Sequence, residues 1–164
     1  MRFCRFLAKD GALGVGVELD ERVIPLDRID PGLPSRLETL CAMDWSELSE
    51  RISAAERARP LEAGYQLLAP IVHPEKIICV GLNYRDHALE TGKQPPTEPV
   101  IFAKLPSAII GPGEPIVLPR LSHSVDFEAE LVVVIGRLCR SVDESTAMDH
   151  VFGYCCGHDV SLRD

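Results

Sequence analysis

A chain of 164 residues with 46% hydrophobic content can hold one ordinary domain, or a small one plus part of another. No apolar run approaches the roughly 20 residues of a bilayer-spanning helix. Residues 1–10, MRFCRFLAKD, lack the continuous apolar core of a signal peptide, so the chain reads as cytoplasmic with no membrane partner. The formal net charge of −8, with no basic cluster to offset it, argues against nucleic acid, whose non-specific binding comes from Lys and Arg neutralising phosphates.

In chain order, residues 2–8, 12–19 and 22–26 read as three short strands separated by the turn signals KDG and LDE, a small antiparallel meander. SRLE and DWSE each place a cap-type residue three before a glutamate, which predicts two short helices. The second spans about 45–59, with Leu48, Ile52 and Ala55 on its buried face and Pro60 ending it. A boundary is expected within LLAPIVHPE, dividing residues 1–69 from 70–164.

Beyond it, KIICVGLNY opens with a buried strand running into Gly81. EPVIFAKLPSAIIGPGEPIVLP predicts two or three short strands broken by Pro and Gly. VDFEAELVVVIG is a single acidic strand, STAMDHV a helical turn, and VFGYCCGHDVSLRD a final strand whose end carries Asp159. Runs of strands with few helices predict an α+β, mainly β fold. The six cysteines lack the paired spacings of a zinc ribbon or a redox motif and read as reduced core residues; Cys155, Cys156 and His158 crowd one strand end without a second ligand pair.

Two features carry chemistry. On a strand, Asp126, Glu128 and Glu130 share one face. Carboxylates 5 to 6 Å apart repel by about 3 kcal/mol at an effective dielectric of 20, so a buried pair needs a proton, a basic partner or a cation. Nothing in the sequence aims Arg137 or Arg140 at them, and a divalent cation compensates directly. A half-exposed strand with a solvated face has the same pattern, and spacing alone favours that reading. In GLNYRDHALETG, Asn83 can cap a short helix and Gly92 end it, which sets His87 and Glu90 three apart on one face. A carboxylate at that offset can orient an imidazole and stabilise its protonated form, although an ordinary solvated His beside a solvated Glu looks the same.

ICVGLNYRDHALETG, PVIFAKLPSAIIGPGEPIVLP, VDFEAELVVVIG and VFGYCCGHDVSLRD stand in an order and spacing similar to those of the fumarylacetoacetate hydrolase family, including its acylpyruvase and oxaloacetate decarboxylase branch. The meander that begins MRFCRF also resembles the small leading domain of many bacterial members. The resemblance implies the first part of a mixed β-roll catalytic domain binding Mg²⁺ or Mn²⁺. By motif position, Glu128, Glu130 and Asp159 are the implied ligands, His87 and Glu90 the implied proton-moving pair on a lid helix, and Lys104 a substrate contact. It further implies a 2-oxo acid substrate such as an acylpyruvate, and a homodimer.

Two departures stand out. His158 occupies a position where the family usually has Asn, and the chain stops at Asp164 where family catalytic domains continue. Besides C–C hydrolase or decarboxylase chemistry, isomerase or hydratase chemistry at the same metal and a non-catalytic association module remain open.

Overall fold

The computed structural model describes every residue except 54, 91 and 93. Four strands, β1 (Arg2–Leu7), β2 (Leu13–Leu19), β3 (Arg22–Pro25) and β4 (Gln66–Leu68), form an antiparallel sheet in the order β3-β2-β1-β4. The expected meander is therefore present, and β4, which was not expected, closes its free edge against β1 from Leu7↔Gln66 to Arg5↔Leu68. Gly14 and Gly16 of β2 let Phe6 lie flat across the sheet, because a Cβ on either would strike the Phe6 ring or Val23.

Three short helices cover this sheet: α1 (Leu26–Ile29), α2 (Leu37–Cys41) and α3 (Trp45–Arg51). Asp44 caps α3 by accepting from the backbone amides of Ser46 and Glu47, as DWSE predicts. SRLE behaves otherwise. Arg36 rather than Ser35 stands at the cap of α2, with no side-chain bond. The helix expected to reach residue 59 ends at Arg51, and a 3₁₀ turn follows at Ala55–Arg57; residue 54 of that expected span lies outside the described residues. The Ala55 amide donates to the Ile52 carbonyl at 3.0 Å. Both are buried, as is Leu48. Arg51 ties α3 back to Asp30 at 2.8 Å.

Three two-stranded antiparallel ribbons make up the rest: β5 (Ile77–Gly81) with β6 (Val100–Lys104), β7 (Val125–Asp126) with β10 (Ser161–Leu162), and β8 (Ala129–Ile135) with β9 (Val151–His158). A six-residue helix, α4 (Arg85–Glu90), separates β5 from β6, and α5 (Glu144–Ala147) with a following 3₁₀ turn precedes β9. Only β6 forms where two or three strands were expected between residues 98 and 119. Pro106, Pro112, Pro115 and Pro119 remove donors that a ladder would need, and residues 111–119 carry no strand.

The chain forms two compact units, Met1–Pro70 with Gly111–Asp164, and Ile71–Ile110. Within the first unit the far end of β8 meets the helical segment closely. A Cβ on Gly136 would collide with the carbonyl oxygen of Cys41, Arg137 pairs with Asp44 at 3.2 Å, and the rings of Phe3 and Phe152 meet tilted by 36°, their centroids 5.7 Å apart. The buried apolar residues lie almost wholly in the first 55 positions; Ala88 of α4 is the exception among the described residues.

Candidate functional site

The acidic segment is not one continuous strand. β7 ends at Asp126 and β8 begins at Ala129, so the pairing partner changes from β10 to β9 across Phe127 and Glu128. The break does not carry Glu128 away from Asp159. The Asp159 amide donates to the Glu128 carbonyl at 2.9 Å, one step beyond the Ala129↔His158 pair, so the two acids stand opposite each other. Glu130 follows two residues along β8, opposite Gly157. Paired residues share a face of an antiparallel ladder, and so do residues two apart. The backbone thus puts Glu128, Glu130 and Asp159 on one face.

Gly157 shapes that face. A Cβ there would meet Val132 Cγ2 at 2.7 Å and come within 3.9 Å of Glu130 Cβ, so glycine leaves open the space beside Glu130. Asp159 is pinned through its backbone on both sides, because Ser161 Oγ donates to its carbonyl at 3.1 Å. Its placement therefore does not depend on the side chain of His158, which is exposed on the opposite face.

Arg163, which the sequence reading did not single out, compensates the acids. Its Nη2 donates to Glu128 Oε1 at 2.5 Å and its Nε to Asp126 Oδ2 at 3.0 Å, and these two carboxylates, Glu128 foremost, hold its guanidinium above the ordinary arginine range. Arg137 is engaged elsewhere, with Asp44. The acids' side chains are not gathered: among the described residues no group of three His, Cys, Asp or Glu converges to metal-holding distance. The donor set nevertheless fits a hard dication. Three carboxylates share one face, a glycine keeps it open, and hard oxygen donors are what such an ion takes.

The other candidates lie in the second unit. Half-buried His87 and exposed Glu90 stand on α4, three residues apart. The first helical bond of α4 is accepted by the Tyr84 carbonyl, so Tyr84 holds the cap position expected for Asn83. Gly92 takes a left-handed φ of 68° just past the helix, as a terminating glycine does, and its amide donates to the Leu89 carbonyl. Ala88, fully buried, anchors the helix. Lys104 ends β6 opposite Ile77.

Among the described residues, cavities in the first unit include two near the elements above. One of about 350 Å³, lined by Cys41, Trp45, Arg137 and His150 among others, contains none of the acids assigned above. The other, about 270 Å³, borders the acidic segment at Asp126 and is otherwise walled mainly by apolar side chains such as Ile116, Leu118 and Phe127.

Known proteins resemble this chain in sequence or in strand arrangement. A mitochondrial oxaloacetate tautomerase of Xenopus laevis, fahd2, is 44% identical over 169 residues, covering all of this chain and 53% of its own length. The crystal structure of maleylpyruvate hydrolase from Sphingobium sp. SYK-6, in complex with manganese(II) ion and pyruvate, superposes with a TM-score of 0.79 at 30% identity, over 99% of this chain and 60% of that one. A 5-carboxymethyl-2-hydroxymuconate delta-isomerase from Mycobacterium smegmatis superposes at 0.70 with 31% identity, over 100% of this chain and 56% of that one. The chain thus spans a little over half the length of these relatives. Residues 76–164, more than half of the chain and the stretch that holds Glu128, Glu130, Asp159, His87, Glu90 and Lys104, match the family described as Fumarylacetoacetate (FAA) hydrolase C-terminal, and with the α+β, strand-rich fold they establish that the chain belongs to the fumarylacetoacetate hydrolase family.

Proposed function

We propose that the chain carries the cation-binding part of an enzyme that cleaves a C–C bond in a 2-oxo acid of the acylpyruvate, fumarylpyruvate or oxaloacetate type, by hydrolysis or decarboxylation. Glu128, Glu130 and Asp159 would hold Mg²⁺ or Mn²⁺, which when bound supplies Lewis acidity to the 2-oxo carboxylate. The observation that carries this reading is the backbone register, which sets Glu128 against Asp159 with Glu130 next along the same face. The Mn²⁺ and pyruvate held by the maleylpyruvate hydrolase relative are consistent with it.

His87 and Glu90 would move the proton: the imidazole accepts it from water or from substrate carbon, and the carboxylate three residues on steadies the imidazolium. Lys104 would contact substrate oxygens as a fixed positive charge. Residues 70–164 would then be the catalytic portion and residues 1–69 a leading domain, in a cytoplasmic homodimer acting on small molecules of aromatic catabolism.

Isothermal titration with Mn²⁺ tests the ligand set. The wild-type chain is expected to bind one ion, and Glu130→Ala to weaken that binding by at least tenfold, on the order of 1.4 kcal/mol. Equal affinity in the variant contradicts the assignment. A second reading, isomerisation or tautomerisation at the same acids, is favoured by the names of the Xenopus and M. smegmatis relatives. Proton NMR of oxaloacetate and acetylpyruvate with the full-length protein separates the two: release of pyruvate indicates cleavage, whereas accelerated solvent-deuterium exchange without cleavage indicates tautomerisation. Neither reaction would indicate an association module.

A further inference from the structure

One guanidinium spans two acids at the break in the acidic segment. The Arg163 amide donates to the Ser124 carbonyl at 2.9 Å and Ser161 pairs with Asp126, so the β7–β10 ladder delivers Arg163 to the point where the chain passes from β7 to β8. From there its Nε reaches Asp126 at 3.0 Å and its Nη2 reaches Glu128 at 2.5 Å. A rigid planar fork suits this task where a lysine's single point charge does not. Only one oxygen of Glu128 is engaged, and Glu130 makes no ion pair among the described residues, so the acidic face is partly neutralised from one end and left open at the other.

We infer that Arg163 is a built-in counter-cation of the acidic face, a conclusion that rests on reading Glu128 as a cation ligand. Without a dication it holds Glu128 and Asp126 and relieves their repulsion. A dication must share Glu128 with it against a unit positive charge a few ångströms away. Arg163 therefore stabilises the cation-free chain and lowers its affinity for the ion, two effects of opposite sign. A side chain that merely supports the fold would shift both in the same direction.

Calorimetric Mn²⁺ titration of the 164-residue chain, paired with thermal melting in chelator, tests this on wild type, Arg163→Gln and Asp126→Asn. Arg163→Gln is expected to melt lower in chelator yet bind Mn²⁺ about tenfold more tightly, the scale of removing one charge near a dication at a partly solvated surface. Asp126→Asn, which removes a negative charge and leaves Glu128 the one carboxylate on the guanidinium, is expected to bind Mn²⁺ several-fold more weakly. This second variant keeps the test decisive should the first not fold. Unchanged or weaker binding in Arg163→Gln, or unchanged or tighter binding in Asp126→Asn, overturns the counter-cation role while leaving Glu128 a ligand. Absence of Mn²⁺ binding in every protein, wild type included, removes the ligand assignment and the inference with it.

Discussion

At the residue scale, the cysteines divide by environment. Cys139 and Cys156 are exposed, whereas Cys41 is buried and Cys4 half-buried in the N-terminal sheet and its helical cover. Burial first, and then the charges of Glu18 and Glu38 respectively, push the thiols of Cys4 and Cys41 up to about 11 from an ordinary 9.0. The folded chain thus keeps protons that the unfolded chain releases. Their contribution to stability is fully present below pH 9 and is lost as the pH rises through about 11. Chemical denaturation followed from pH 8 to 11 should show falling stability, and Cys4→Ser/Cys41→Ser should flatten that slope; an unchanged slope contradicts the assignment. Of the residues proposed for chemistry, the shared face of the three acids was expected from alternation and motif position. Arg163 was not, because its role arises from pairing with a residue 35 positions earlier in the chain, which no local pattern records.

At the element scale, short helices depend on their ends. Asp44 satisfies two amides of α3, accepts from the Ser46 hydroxyl and receives Arg137, and these bonds, the Ser46 hydroxyl first, hold its carboxyl below the ordinary 3.8. A depressed carboxyl contributes stability above its unfolded value and loses it as the pH falls through the folded one. Asp44→Ala is therefore expected to destabilise the chain at pH 7, as loss of an N-cap does. The deficit should shrink as the pH falls below 3.8, which urea melts at pH 7 and in acid can check.

The elements that were legible are those with strong local punctuation. β1, β2 and β3 fall within a residue or two of expectation because KDG and LDE mark their turns. Others were hidden by tertiary effects. β4 is three residues long and exists as an edge to β1, the third turn of α3 gives way to a tighter 3₁₀ turn that buries Ala55, and the acidic segment breaks because its two halves have different partners.

At the scale of the whole molecule, buried and exposed apolar surface are unevenly shared. The core belongs to the N-terminal sheet and its helices, while the ribbons that carry the acids present Phe127 at 73% exposure, Leu131 at 62% and Ile135 at 55%. The acidic ribbon meets the N-terminal part of its unit closely at Gly136, where an added Cβ would lie 2.4 Å from the Cys41 carbonyl oxygen. Gly136→Ala places a methyl group against backbone that cannot rotate away, and is expected to destabilise the chain by roughly 1–3 kcal/mol. Hydrogen exchange should speed up both around residue 41 and in β9, whereas a change confined to one side would show that the contact does not couple them. That coupling was not legible from a boundary drawn at 69/70, since proline punctuation marks where a chain turns and says nothing of what it later packs against.

The central claim is that one face of the β8–β9 ribbon brings Glu128, Glu130 and Asp159 around a single hard ion. Anomalous diffraction from Mn²⁺-soaked crystals measures this directly. The account predicts one manganese peak within bonding reach of carboxylate oxygens from all three residues; a peak elsewhere, or one that Asp159 does not touch, would contradict it.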